Sequence, residues 1–200
     1  MHPHPTSTVR YAGRPDFTAV PTAYFNAQQR FFVIEKRASV MWTGAGEDGK
    51  GQISTESGAL MDYPYGFASR FGDERRGTNP EEILAAAHAA CFTMAFSFAC
   101  LKAGVATEAV DTQAHVRLTA QGDGFVIDRI VLKMKATVPG LNEAQFQQLA
   151  AAAKRDCPLS KALASVREVF LEASLAQPID SEGGGDHSHR TGAGGRAGLT

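Results

Sequence analysis

The residues best suited to chemistry are the three cysteines, Cys91, Cys100 and Cys157. Cys91 and Cys100 share one long apolar stretch. Nine steps of about 100° put them on opposite faces of a helix, so they cannot pair within it. Cys157 is followed by Pro158, which halts a helix and leaves the thiol at an element boundary where another element can meet it. Two cysteines far apart in sequence can form a reversible disulfide if the fold brings their Cα atoms within about 7 Å. The plainer alternative is that each is a small buried hydrophobe, and Cys100 keeps that reading.

Other ionisable groups gather near Cys91. His88 stands three residues before it, on the same helical face. With His115 or Cys157 the pair would offer thiolate and imidazole to a zinc ion. The chain has no CxxC or HxxxH spacing to support this, so a packed core histidine is the simpler reading. Arg70, Arg75 and Arg76 precede the stretch, and Glu81 and Glu82 open it. The acids complement the positive end of a helix. Equally, an arginine would lower a cysteine pKa while a glutamate orients that arginine. Spacing alone does not choose between these.

The elements that must position these groups follow from periodicity. Phe32, Ile34, Ala38, Val40 and Trp42 largely alternate with polar residues and predict a strand; GAGEDGKG turns into a second, GQISTESGAL. An irregular loop, YPYGFASRFGDERRG, leads to the long helix. Asn79 is its cap, Pro80 its first residue, Glu82 a capping-box acceptor and Gly104 its stop. VDTQAHVRLTA and FVIDRIVLKMKATV flank the turn QGDG as two further strands. A helix over 141–155, a helical turn through Leu163 and the strand SVREVFLEASL complete the order β-β-α-β-β-α-β. Such an order predicts an α+β fold with antiparallel sheets around two helices.

Twenty basic and twenty-one acidic side chains give a net charge of −1, which supplies no footprint for nucleic acid. With 44% apolar residues the chain is expected to be globular. Three cysteines are too few for a disulfide-built secreted scaffold, and no early segment has signal-peptide order, so a reducing cytoplasm is expected. From Ile83 to Leu101 no residue carries a formal charge, nearly a membrane-spanning length. Its alanines, with His88, Thr93 and Ser97 interspersed, instead predict a helix buried on all sides within a protein. Residues 1–35, rich in proline, read as a flexible extension, 36–175 as the folded domain, and 176–200 as a disordered glycine-rich tail. Four of the six histidines (His2, His4, His187 and His189) lie in these flanks.

GTNPEEILAAAHAACFTMAFS, followed about sixty residues later by CPLSKAL, with STESGAL and PYGFASRF upstream, resembles the OsmC branch of the OsmC/Ohr family over roughly residues 36–175. The resemblance implies a thiol-dependent hydroperoxide reductase working as an intertwined homodimer with its sites at the subunit interface. It makes Cys91 the peroxidatic cysteine, Cys157 the resolving one, Glu81 the family's glutamate and Arg70 its arginine. Arg75 and Arg76 stand in a stretch of variable length. The implied substrates are organic hydroperoxides and hydrogen peroxide, and the implied reductant is an external dithiol of dihydrolipoyl type. No cofactor, metal, nucleic acid or membrane is expected. The rival reading is a non-catalytic dimer whose groove, lined by Phe92, Met94, Phe96 and Phe98, binds an apolar ligand or senses redox state.

The composition of the flanks generates a first prediction. Removing residues 1–30 and 176–200 leaves peroxide consumption intact, and limited proteolysis leaves a resistant core near 36–175. A truncated protein that unfolds would show that the flanking aromatic residues pack into the domain.

Overall fold

A computed structural model describes residues 33–176. The expectations for the N-terminal extension up to residue 32 and for the tail from 177 lie outside the described residues. The fold is α+β, with two three-stranded sheets of order β1-β2-β3 and β4-β5-β6.

β1 (Ala38–Thr43) and β2 (Lys50–Thr55) pair antiparallel in a hairpin closed by a 3-10 turn over Gly46–Asp48. The following segment, expected as an irregular loop, instead supplies β3 (Tyr63–Gly66), antiparallel to β2, and a short helix α1 (Phe67–Phe71). What makes β3 a strand is non-local. Tyr65 pairs with Gly51, where any Cβ would lie 2.0 Å from the tyrosine ring. The bare glycine lets that ring lie across the strand and meet Trp42 at a centroid distance of 5.4 Å.

The long helix α2 spans Pro80–Lys102. Asn79 caps it by accepting the Glu82 N–H at 2.8 Å, and Pro80 occupies the first position. Glu82 does not complete a capping box: its carboxylate accepts the Thr78 hydroxyl at 3.0 Å instead. Gly104, at φ 79°, follows the last turn. Within one protomer only the stripe His88, Phe92, Phe96 and Cys100 is buried. Met94 and Leu101, on the other side, are 61% and 54% exposed. The expected burial on all sides is therefore not met inside a single chain. β4 and the helix after β5 pack against α2, and these cover only part of its circumference. By length and hydropathy α2 would also suffice to cross a bilayer.

β4 (Ala109–Gln121) and β5 (Gly124–Thr137) form the long antiparallel pair of the second sheet. β6 (Glu168–Leu175) departs from the all-antiparallel expectation by running parallel to β5. The intervening helices α3 (Glu143–Asp156) and α4 (Pro158–Ala162) form the crossover that lets two parallel strands lie side by side. Asn142 and Gln145 cap α3 reciprocally. Phe146, Ala150 and Ala153 of α3 join Phe92 and Phe96 of α2 and Leu132, Met134 and Ala136 of β5 in one core. Phe96 meets Phe146 edge-on at 5.5 Å. This packing sets α2 against the α3–α4 junction.

Candidate active site

Two side-chain constellations lie along α2, one at its start and one at its middle. The first is a clamp between α1 and the helix entrance. Gly77 adopts φ 122°, and a Cβ there would lie 2.7 Å from the Pro64 carbonyl oxygen, so the chain can follow β3 this closely only with glycine. Thr78 N–H then donates to that same carbonyl at 3.0 Å. Ser69 of α1 donates its hydroxyl to the Thr78 carbonyl at 2.8 Å, and Asn79 returns an amide N–H to the Ser69 carbonyl at 3.3 Å. Locked in this way, the next residue, Arg70, faces Glu81. Its Nε donates to Oε2 at 3.0 Å and its terminal nitrogen to Oε1, a two-point fork that fixes the guanidinium plane. Glu81 is 13% exposed at its side chain. Arg70 also stacks on Phe71, 5.1 Å from the ring centre, and Phe71 touches Phe67 and Phe125 at 4.9 and 5.0 Å. Arg75 and Arg76 are exposed in the loop beyond, where the Arg76 N–H bonds Glu74.

The second constellation is the thiol pair. Cys91, on α2, and Cys157, between α3 and α4, place their sulfurs 3.1 Å apart, hydrogen-bonded and unlinked. The two come together across sixty-six positions because the aromatic core holds their helices side by side. Cys91 is partly accessible, whereas Cys157 is fully buried. Their electrostatics differ. Burial pushes the Cys91 thiol up, outweighing a backbone hydrogen bond from Leu159. For Cys157 burial acts in the same direction, but hydrogen bonds from the Ser160 backbone, Cys91, the Ser160 hydroxyl and the Leu159 backbone prevail and hold it below the usual thiol value. Pro158, at the first position of α4, leaves Cys157 at the cap of that helix.

His88 lies behind the pair. It is fully buried, and its Nε2 is 2.9 Å from the Ser160 hydroxyl oxygen. Burial, then the positive charge of Lys154, holds the imidazole below 6.5. Its Nδ1 has no hydrogen-bond partner. Among buried groups an unpaired lone pair is tolerated better than an unpaired N–H. The neutral ring therefore carries its proton on Nε2 and donates to Ser160.

Not every candidate converges here. His115 is exposed on β4, on the opposite face from Thr112, which bonds Thr93 of α2 at 2.7 Å. Cys100 is buried in the core nine residues beyond Cys91, its thiol pushed up by burial alone. Among the described residues no group of three or more His, Cys, Asp or Glu could hold a metal ion. The Arg70–Glu81 fork is likewise remote from the thiols of its own chain. Ten residues of helix separate Glu81 from Cys91, roughly 15 Å along the axis. Ser160 is the site residue that sequence reasoning missed. A cysteine followed by proline at a helix start, with a hydroxyl three residues later, is the signal that marks it.

Paired thiols at this distance, one partly accessible and one buried, have the geometry to cycle between dithiol and disulfide. Comparison with known proteins bears on that chemistry. The sequence model of the family described as OsmC-like protein matches residues 72–171. Peroxiredoxin OsmC of Escherichia coli (strain K12) is 44% identical over 142 residues, which cover 71% of this chain and 97% of that protein. An organic hydroperoxide resistance protein of Xanthomonas axonopodis pv. citri is 31% identical over 130 residues, 63% of this chain and 86% of that one. Among solved structures, the organic hydroperoxide resistance protein OhrB of Bacillus subtilis superposes with a TM-score of 0.52 at 29% identity, covering 69% of this chain and 98% of its own. An organic hydroperoxide resistance protein OsmC of Legionella pneumophila gives a TM-score of 0.53 at 25% identity over 74% of this chain and all of the other.

The buried imidazole also makes stability depend on pH. Above pH 6.5 His88 is neutral in folded and unfolded chains alike, and its contribution is fully present. As pH falls below that value the unfolded chain takes up a proton first, and stability is lost down to the lower folded-state pKa. Urea denaturation at about pH 7.5 and about pH 5.5 should show this loss in the native protein and a smaller one in His88→Gln.

Proposed function

This chain belongs to the OsmC family, and from that membership together with its paired thiols we propose that it is a cysteine-based peroxidase that reduces organic hydroperoxides. The observation that carries the reading is the 3.1 Å approach of an accessible Cys91 to a buried Cys157. In the proposed cycle the Cys91 thiolate attacks one peroxide oxygen. The O–O bond breaks, the alkoxide leaves as an alcohol after taking a proton, and Cys91 is oxidised to a sulfenic acid. Cys157 then attacks that sulfur, forming a disulfide and releasing water. An external dithiol restores both thiols by exchange and is itself oxidised to a disulfide. The aromatic group of Phe67, Phe71 and Phe125 beside Arg70 supports an organic peroxide as substrate, because it offers an alkyl or aryl group apolar surface next to a cation. Hydrogen peroxide is the smaller substrate of the same attack.

The active unit in this reading is a homodimer. Peroxide attack needs Cys91 as thiolate, yet burial within one protomer pushes that thiol up. A guanidinium would reverse this, and Arg70 is tied to Glu81 too far along its own helix to do so. An antiparallel second copy, lying on the exposed side of α2 that carries Met94 and Leu101, brings its own Arg70–Glu81 fork to this thiol. There the arginine stabilises both the thiolate and the charge growing on the leaving oxygen, and Glu81 holds it in position. The same contact removes the apolar stripe of α2 from water, and the protein acts in solution in the cytoplasm.

Mass spectrometry after one equivalent of alkyl hydroperoxide is expected to find a Cys91–Cys157 disulfide. In Cys157→Ser the first turnover survives and Cys91 proceeds to sulfinic acid. A bond involving Cys100, or sulfenic acid only on Cys157, would overturn the assignment.

Mixing two inactive variants tests the shared site. Heterodimers of Cys91→Ser with Glu81→Gln regain one site with an intact Cys91 and an intact Glu81, giving up to about half the activity per dimer of the native protein. Heterodimers verified by mass that stay inactive would exclude a site assembled from two chains.

A further inference from the structure

Deepening the proposed peroxidase cycle, we propose that His88 and Ser160 form a hydrogen-bonded relay that holds the Cys157 sulfur as the leaving group when the oxidised thiol pair is reduced, so that the incoming dithiol bonds to Cys91. The relay runs in one direction. His88 Nε2–H donates to the Ser160 hydroxyl oxygen at 2.9 Å, and Ser160, three residues on in the short helix that Cys157 opens, keeps its own hydroxyl proton to offer the Cys157 sulfur. With His88 fully buried and its other nitrogen unpartnered, the imidazole has a single hydrogen bond to make, and that bond orients Ser160. A histidine serving only the core would need no such aim.

The chemistry follows from which sulfur is open. In the disulfide either sulfur is a formal target, but Cys157 is fully buried and Cys91 is not. A thiolate of the dithiol attacks Cys91 Sγ. The new S–S bond forms there as the Cys91–Cys157 bond breaks, and its electron pair departs on Cys157. Exchange is faster the better the leaving thiolate is stabilised, which is what a hydroxyl proton from Ser160, aimed by His88, supplies in the relay. The second thiol of the reductant then closes on the first, releasing Cys91 as a thiolate that takes up a proton. Two electrons enter the protein and the dithiol leaves as a disulfide. In the relay Ser160 acts on the leaving sulfur, and His88 is a positioning residue acting through it.

The test separates this step from peroxide chemistry. The full chain is oxidised with diamide, which closes a dithiol without peroxide, and its reduction by dithiothreitol is followed under excess reductant. Ser160→Ala is expected to slow reduction about tenfold, and Ser160→Thr, which keeps the hydroxyl, to recover most of the rate. His88→Leu should slow it comparably, and His88→Gln, whose amide N–H can reach Ser160, should restore it. In a Cys91→Ser background the thiolate absorbance of Cys157 should titrate at higher pH once Ser160 is alanine. A packing role for His88 would lower the denaturation midpoint without separating Leu from Gln in rate. Native rates in both Ser160→Ala and His88→Leu, or a monothiol trapped on Cys157 in place of Cys91, would overturn the relay. Failure of diamide to link Cys91 to Cys157 would overturn it as well. If the relay kinetics hold while alkyl hydroperoxide leaves Cys91 unmodified, the peroxidase reading fails and the relay stands.

Discussion

The contact between Cys91 and Cys157 constrains almost everything around it. Two sulfurs held at 3.1 Å require that the middle of α2 and the break between α3 and α4 keep their relative position to within a few tenths of an ångström. Side chains alone do not ensure that; the core beneath them does. Phe92 and Phe96 face Phe146, Ala150 and Ala153 across the helix pair, and β5 supplies Leu132 and Met134 as the floor. Interiors packed at crystal-like density transmit position rigidly. The small residues Ala150 and Ala153 let α3 approach α2 closely, so Cys157 arrives beside Cys91 instead of a helix diameter away.

A second constraint acts at the entrance of α2, and it is polar. Ser69, Thr78 and Asn79 exchange hydrogen bonds across the α1–α2 junction, and Gly77 allows the chain to pass beneath Pro64. This clamp aims Arg70 at Glu81. The long helix α2 thus holds Glu81, with Arg70 of α1 docked on it, at its start and the Cys91 thiol at its middle, separated by almost three turns. A single straight helix cannot fold its start onto its middle, which is the geometric ground of the proposed dimer.

Much of this was legible in the residues. Alternation marked β4 and β5 because their faces differ in burial, and Asn79–Pro80 marked the start of α2 because caps are local chemistry. The thiols were visible as candidates through the helix phase of Cys91 and Cys100 and through the proline after Cys157. Arg70 came forward by resemblance, and its fork with Glu81 is a geometric fact that no spacing rule contains. β3 and α1 were missed since they depend on distant partners, Gly51 under Tyr65 and Thr78 beside Ser69. The parallel direction of β6 depends on how the α3–α4 crossover packs, which no local pattern encodes. Ser160 went unnoticed because a serine in a short helix is unremarkable until a buried imidazole seventy-two positions away points at it.

The position of the two cysteines within the chain has one more consequence. A bond between them closes a loop of sixty-six residues that contains β4, β5 and α3, two of the three strands of the second sheet and its covering helix. Cross-linking a loop of that length removes enough freedom from the unfolded chain to favour the folded state by about 4 kcal/mol. Closing that bond would therefore also change the molecule's resistance to unfolding. In the proposed cycle the oxidised form is thus the one that proteases and heat find hardest to open, so that a shortage of reductant would leave the protein in its most durable state.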